Sequence, residues 1–204
     1  MRSNLGLPTA TGAVMAGGKS RRLGTDKALL AVNGETLLAR ALRNLAAVTT
    51  EQLVVGPPER RQHAGAARVY ADAYPECGPL GGIYTALQAA SHELVVIVAC
   101  DMPFLSAPLL GHLLTLSEGY DIVLPRPGGR GEQLHAVYRR TCDEPIRSQL
   151  ASGEYKIDRF FDKVRVRIVD EEELRRYDGS LLSFRNVNTS EDWAEAQALL
   201  EVSG

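Results

Sequence analysis

The 204-residue chain has few of the residues that staple, span or spread charge. Its three cysteines, Cys77, Cys100 and Cys142, are odd in number and show no CxxC spacing, so neither a disulfide framework nor a zinc site is expected, and free thiols fit a reducing cytoplasm. The four histidines, His63, His92, His112 and His135, lack metal-ligand spacing and read as surface or packing residues. The longest apolar run, Leu94 to Cys100, falls far short of the roughly 20 residues a spanning helix needs. Met1 to Thr11 holds one arginine and no apolar stretch, so no targeting signal or membrane segment is expected. A formal net charge of −2 gives no global attraction to nucleic acid or anionic membranes. There is no internal repeat or low-complexity tract, and 45% apolar with 24% charged residues excludes disordered and fibrous classes. The length suits one domain, residues 1–204, with 1–11 as a flexible N-terminus.

Against this near-neutral background one stretch concentrates positive charge. Ala16-Gly17-Gly18-Lys19-Ser20-Arg21-Arg22-Leu23-Gly24-Thr25-Asp26-Lys27 follows the short apolar run Gly12 to Met15, as a glycine-rich loop leaving a first strand would. Three glycines let backbone N–H groups approach a ligand, and Lys19, Arg21, Arg22 and Lys27 outnumber Asp26. The chemistry is that of a polyanion pocket. Gly18-Lys19-Ser20 looks like the end of a Walker A loop, but that motif needs a glycine at position 13, which is Ala13.

The rest of the chain alternates strands with helices. Expected strands are Gln52 to Gly56, Val69 to Ala71, Leu94 to Cys100, Asp121 to Leu124, Gln133 to Tyr138, Val164 to Val169 and Phe184 to Val187. Expected helices are Glu35 to Val48, Ile83 to Ala90, Pro108 to Leu116, Asp143 to Ala151, Ile157 to Phe161 and Glu191 to Leu200, the last capped by Asn188. Asp170 to Glu173 favours the first turn of a further short helix. The pattern implies an α/β fold, Rossmann-like, with a mostly parallel central sheet and helices on both faces. Ligands in such sheets bind beyond the C-terminal ends of strands, which singles out Asp72, the segment Gly78-Pro79-Leu80-Gly81-Gly82 before a helix, and Asp101. Leu94 to Cys100 shows no polar alternation and reads as a central strand, so Asp101 stands rigidly at the edge of the core. Beside phosphates its carboxylate makes sense as a Mg²⁺ ligand; the alternative is a cap on the turn before Pro108. Pro125 to Gly131 reads equally as a cover over substrate or a solvated hairpin tip.

The loop resembles that of the sugar-nucleotide and cofactor nucleotidyltransferases, and more closely the molybdenum cofactor guanylyltransferase family, whose pattern Leu-Ala-Gly-Gly-x-Ser-x-Arg-Met-Gly-x-Asp-Lys it keeps with two apolar changes, Met15 and Leu23. The likeness extends to Gly-Pro-Leu-x-Gly at Gly78 to Gly82, Cys-Asp-x-Pro at Cys100 to Pro103, and Asn-x-Asn-Thr-x-Glu-Asp at Asn186 to Asp192. It implies transfer of GMP from GTP to the terminal phosphate of molybdopterin, with release of pyrophosphate. By position it implies nucleotide contacts from Met15, Ala16, Gly17, Gly18, Ser20, Lys27, Asp72 and Asp101, with Mg²⁺ on Asp101. Arg22 and Lys27 would oppose charge on the transferred group and the leaving pyrophosphate, beside Asp101 as the third catalytic residue. Gly78, Pro79, Leu80, Gly82, Asn186 and Asn188 would line the pterin side, and transient contacts with cofactor-delivery or acceptor proteins are implied as well. The chain departs from the family pattern at Gln133 and Ser190, where proline is usual, and at Gly56-Pro57-Pro58, where some members carry an asparagine that touches the nucleotide. These departures bear on base choice, so a cytidylyltransferase stays as the alternative, together with a binding protein that handles nucleotide or cofactor without turnover.

Overall fold

Apolar runs of five or six residues are long enough to cross a sheet once, and here they do so side by side. The computed structural model describes residues 6–17 and 26–202. Gly18, Ser20 and Arg22 therefore lie outside the described residues. The strands are β1 (Ala10–Met15), β2 (Ala31–Val32), β3 (Glu35–Thr36), β4 (Glu51–Val55), β5 (Arg68–Tyr70), β6 (Leu94–Ala99), β7 (Ile122–Arg126), β8 (His135–Arg139) and β9 (Val166–Asp170). The helices are α1 (Leu37–Ala46), α2 (Gly78–Ala89), α3 (Ala107–Thr115), α4 (Asp143–Ala151), α5 (Glu171–Arg175) and α6 (Ser190–Val202).

Seven strands form one sheet in the order β5-β4-β1-β6-β8-β7-β9. It is mostly parallel. β8 alone among these strands runs against its neighbours, β6 and β7. Every residue of β6 is buried, as its unbroken apolar sequence requires of a strand covered on both faces. Val96 and Val98 face a core shared with Leu38, Leu45, Leu109 and Leu113 of α1 and α3. Val95 and Ile97 face the opposite core, with Leu80 and Ile83 of α2 and Ile146 of α4. The parallel register places Met15 beside both Val55 and Ala99, so β1, β4 and β6 end together on one edge.

Local signals account for most boundaries. Asn33 and Gly34, both with positive φ, turn the chain between β2 and β3, and the Thr36 hydroxyl then caps α1 by accepting from the Ala39 N–H at 3.1 Å. Asp170 caps α5, as the acidic run there implied.

Four expectations are corrected. The Gly78–Gly82 segment is the first turn of α2 rather than a segment before it, since Pro79 sits where a helix needs no N–H. Phe184 to Val187 joins no strand: the segment crosses the strand ends, a 3-10 turn covers Leu182–Phe184, and the Val187 N–H bonds the Asp101 carbonyl at 2.9 Å. Ile157 to Phe161 belongs to a 3-10 stretch, Ile157–Lys163, whose entry is held by the Gln149 amide donating to the carbonyls of Glu154 and Lys156. Thr189, not Asn188, caps α6: its hydroxyl accepts from the Asp192 N–H while the Asp192 carboxylate accepts from the N–H groups of Thr189 and Asn188.

Candidate active site

The ends of β1, β4, β5 and β6 leave a cleft of about 330 Å³, closed on one side by the first turn of α2. Its floor is backbone. Met15, Ala16 and Gly17 continue β1 into the glycine-rich loop, held by hydrogen bonds from Ala16 N–H to Val55 O at 2.9 Å and from Cys100 N–H to Met15 O at 3.1 Å. A Cβ on Gly56 would stand 2.8 Å from the Ala16 carbonyl oxygen, so a side chain there would push the floor out of place. Gly82 faces the cleft from α2: a Cβ there would come within 2.2 Å of the Met15 methyl carbon, the end of a flexible side chain.

The charged groups arrive from distant parts of the chain. Lys27 lies in a 3-10 turn, Lys27–Leu29, capped by Asp26, and its ammonium donates to Asp101 Oδ2 at 3.2 Å and to Asn188 Oδ1 at 2.8 Å. Asp101 directly follows the buried β6 and Cys100, so little can shift its main chain. The cap of α3 is Ser106, whose hydroxyl accepts from the Leu109 N–H at 3.4 Å. Asp72, just beyond β5, accepts from the Tyr74 N–H at 2.9 Å and from the Thr85 hydroxyl at 3.3 Å, which fixes its carboxylate against α2. Burial pushes the Cys100 thiol up to about 12, with neighbouring Asp101 adding to the rise, so this cysteine stays neutral beside the carboxylate. Glu132 is also raised by burial, opposed by Arg130 and assisted by Asp101.

Of the residues singled out from the sequence, Met15, Ala16, Gly17, Lys27, Asp72, Gly78, Pro79, Gly82 and Asp101 all line this cleft. Asn188 reaches it through Lys27. Leu80 does not: it is fully buried in the core beneath α2. Asn186 is half-buried outside the lining. The 125–131 segment is pinned at its tip, where the Gly128 N–H donates to Glu171 Oε2 at 2.8 Å, and it links the antiparallel pair β7 and β8 as a hairpin would. One lining residue that sequence reasoning passed over is Arg60, a buried arginine in the turn after β4. The rule of inspecting strand ends would have reached it, three residues beyond Pro57.

The arrangement offers backbone N–H groups, a lysine and one or two carboxylates on a rigid edge, which is equipment for holding a polyphosphate and neutralising charge on it. Among the described residues no cluster of three or more His, Cys, Asp or Glu could cage a metal by itself. A hard cation that takes one or two carboxylates and completes its shell with phosphate and water fits Asp101 better than it fits any all-protein cage.

Comparison with known proteins gives a consistent result. The MobA-like NTP transferase domain family matches residues 12–168. A probable molybdenum cofactor guanylyltransferase of Pelotomaculum thermopropionicum is 39% identical over 194 residues, covering 95% of each chain. The molybdenum cofactor guanylyltransferase of Desulfosudis oleivorans is 33% identical, covering 96% of this chain and 98% of its own. The crystal structure of molybdopterin-guanine dinucleotide biosynthesis protein A from Archaeoglobus fulgidus superposes with a TM-score of 0.81 at 27% identity, covering 94% of this chain and 99% of that one. A 2-C-methyl-D-erythritol 4-phosphate cytidylyltransferase from Thermus thermophilus, 20% identical with a TM-score of 0.69, shares the fold.

Proposed function

Because the chain belongs to the MobA-like NTP transferase domain family and is a nucleotidyltransferase, we propose that this cleft transfers GMP from GTP to the terminal phosphate of molybdopterin, releasing pyrophosphate. The observation that carries the reading is the meeting of Lys27 and Asp101, 74 residues apart in sequence, in the cleft that Met15, Ala16 and Gly17 also line.

The chemistry asks little of a general base. A phosphate monoester has a second pKa of about 6, so the attacking oxygen is already largely ionised at neutral pH. Catalysis reduces to alignment and charge neutralisation. The backbone at Ala16 and Gly17 receives the nucleotide, Lys27 moves from its resting contacts with Asp101 and Asn188 to the phosphates, and Arg22 joins it against the charge that builds on the leaving pyrophosphate. Asp72 would contact the nucleoside and the first turn of α2 the pterin side, a reading supported by their position in the cleft lining. Asp101 would hold Mg²⁺, which supplies Lewis-acid polarisation of phosphoryl oxygens.

The single seven-stranded sheet supports taking the chain as one nucleotidyltransferase domain. The three cysteines, unpaired and buried, support a reducing cytoplasm as the place of reaction, with delivery and acceptor proteins meeting the enzyme transiently. Among the described residues no helix is long and apolar enough to cross a membrane.

The test is pyrophosphate release and product mass from purified protein supplied with Mg²⁺, molybdopterin cofactor and either GTP or CTP. Release with GTP alone is expected. Release with CTP alone moves the protein to cytidylyl transfer, and binding without release makes it a carrier.

A further inference from the structure

Arg60 is 5% exposed, and its guanidinium bonds to both flanks of the glycine-rich loop. Nε donates to the Ala16 carbonyl at 3.2 Å, and the two terminal nitrogens grip the Asp26 carboxylate at 2.5 and 2.8 Å. Ala16 is the last residue before Gly17 opens the loop, and Asp26 is the residue that closes it before Lys27.

Each contact has a consequence for the cleft. In a planar trans peptide the carbonyl of Ala16 and the N–H of Gly17 point opposite ways. Holding the carbonyl on Arg60 therefore fixes the direction in which the Gly17 N–H is presented. Gly56 makes this contact possible, since any Cβ there would crowd the same oxygen. Asp26, in turn, accepts from the Ala28 N–H at 3.2 Å and so caps the turn that carries Lys27. A planar fork can hold an oxygen on one edge and a carboxylate on another at the same time, whereas a lysine brings only a point charge on a flexible stem.

We propose that Arg60 is a positioning residue for nucleotide transfer, its guanidinium locking the Gly17 N–H and the Lys27 turn into one geometry for a triphosphate. The inference rests on the nucleotidyltransferase reading of the cleft. It differs from a purely structural role in what it says about ligand: loosening the fork disturbs triphosphate binding and alignment more than it disturbs the fold.

The experiment compares the full chain with Arg60→Lys, Arg60→Ala, Asp26→Asn and the Arg60→Lys/Asp26→Asn pair. It follows GTP affinity by calorimetry, the kcat and KM for GTP, and the thermal midpoint. A small misplacement near reacting groups costs about 100-fold, so Arg60→Lys is expected to lower kcat by about that factor and to weaken GTP binding about tenfold. The pair is expected to be no worse than its weaker member, because both changes break one link. Added guanidinium is expected to recover at least about tenfold of the activity lost in Arg60→Ala, and methylammonium is not, because only the planar cation can replace the fork. Should Arg60→Ala fail to fold, Arg60→Lys and Asp26→Asn carry the comparison. GTP affinity and kcat within twofold of the parent in those two variants would overturn the proposal, as would additive losses that follow only the fall in thermal midpoint. Failure of the parent chain to release pyrophosphate would instead count against the functional reading, while the effect of Arg60 on GTP affinity would still decide this one.

Discussion

Lys27 and Asp101 are each partly exposed, with 17% and 23% of their side chains accessible, and their ion pair lines the cleft rather than the core. Partly exposed pairs contribute little to stability, commonly under about 1 kcal/mol. On the proposed function, their value lies in charge placement where a polyanion would bind. Lys27→Ala and Asp101→Asn are therefore expected to lower Mg²⁺-dependent kcat by roughly 10² to 10³ while moving the thermal midpoint only slightly. Single-turnover pyrophosphate release beside a melting curve reads both quantities. An Asp101→Asn enzyme with full turnover would remove Asp101 from the metal.

At the scale of the element, α2 separates two adjacent glycines by what surrounds them. A Cβ on Gly81 would meet the Tyr74 carbonyl oxygen at 2.4 Å, a backbone atom with no freedom to retreat. On Gly82 it would meet the end of the Met15 side chain, which can swing away. Overpacking costs about 1 to 3 kcal/mol, so Gly81→Ala is expected near the top of that range and Gly82→Ala near the bottom, compared by urea midpoints. Gly82→Ala should instead weaken nucleotide binding by driving Met15 into the cleft, and Met15→Ala added to it should relieve the effect. These glycines also explain why the sequence places the start of α2 too late. Composition marks Gly78 to Gly82 as a breaker, yet the small residues are there so that the helix can pack against Tyr74, Asp72 and Met15. Asn188 misleads in a similar way: its type suits a cap, but its side chain is committed to Lys27.

Across the whole molecule, the sheet edge opposite the cleft is tied by Glu51. Its carboxylate accepts from the Thr11 hydroxyl at 2.5 Å, from the Ser91 N–H and hydroxyl at 2.9 Å, and from Arg68, joining the starts of β1, β4 and β5 to the approach to β6. Burial works against the charged form, but these hydrogen bonds outweigh it and bring Glu51 down to about 2. A carboxylate depressed on folding stabilises above its unfolded pKa, and that stability is lost as pH falls from about 4.5 toward 2. His135 acts in a higher window. It is fully buried against the Phe184 ring, and burial, outweighing the opposing pull of Asp178 and of the Ser183 backbone, lowers it to about 4. The unfolded chain then binds the extra proton first, so stability declines as pH falls from 6.5 to about 4. Urea midpoints measured from pH 7 to 3 are expected to fall in two stages. His135→Phe should flatten the upper stage, and Glu51→Gln, which is destabilising at pH 7, should flatten the lower.

The sequence by itself marked the buried strands of the sheet, because unbroken apolar runs such as Leu94 to Cys100 suit a strand covered on both faces, and it marked where to look for a polyanion, because glycines and cations gather between Ala16 and Lys27. Asp72 and Asp101 were legible for the same reason: each directly follows such a run. Only the tertiary structure decided that β8 runs antiparallel between β6 and β7, since hydrophobic period says which face is buried but not which neighbour pairs. It alone brought Asn188 to Lys27, 161 residues away, and Arg60 to Asp26 and Ala16 across 34 and 44. Such contacts leave no mark on local sequence, because the pairing of a donor and an acceptor far apart in the chain is set by the packing of the sheet between them.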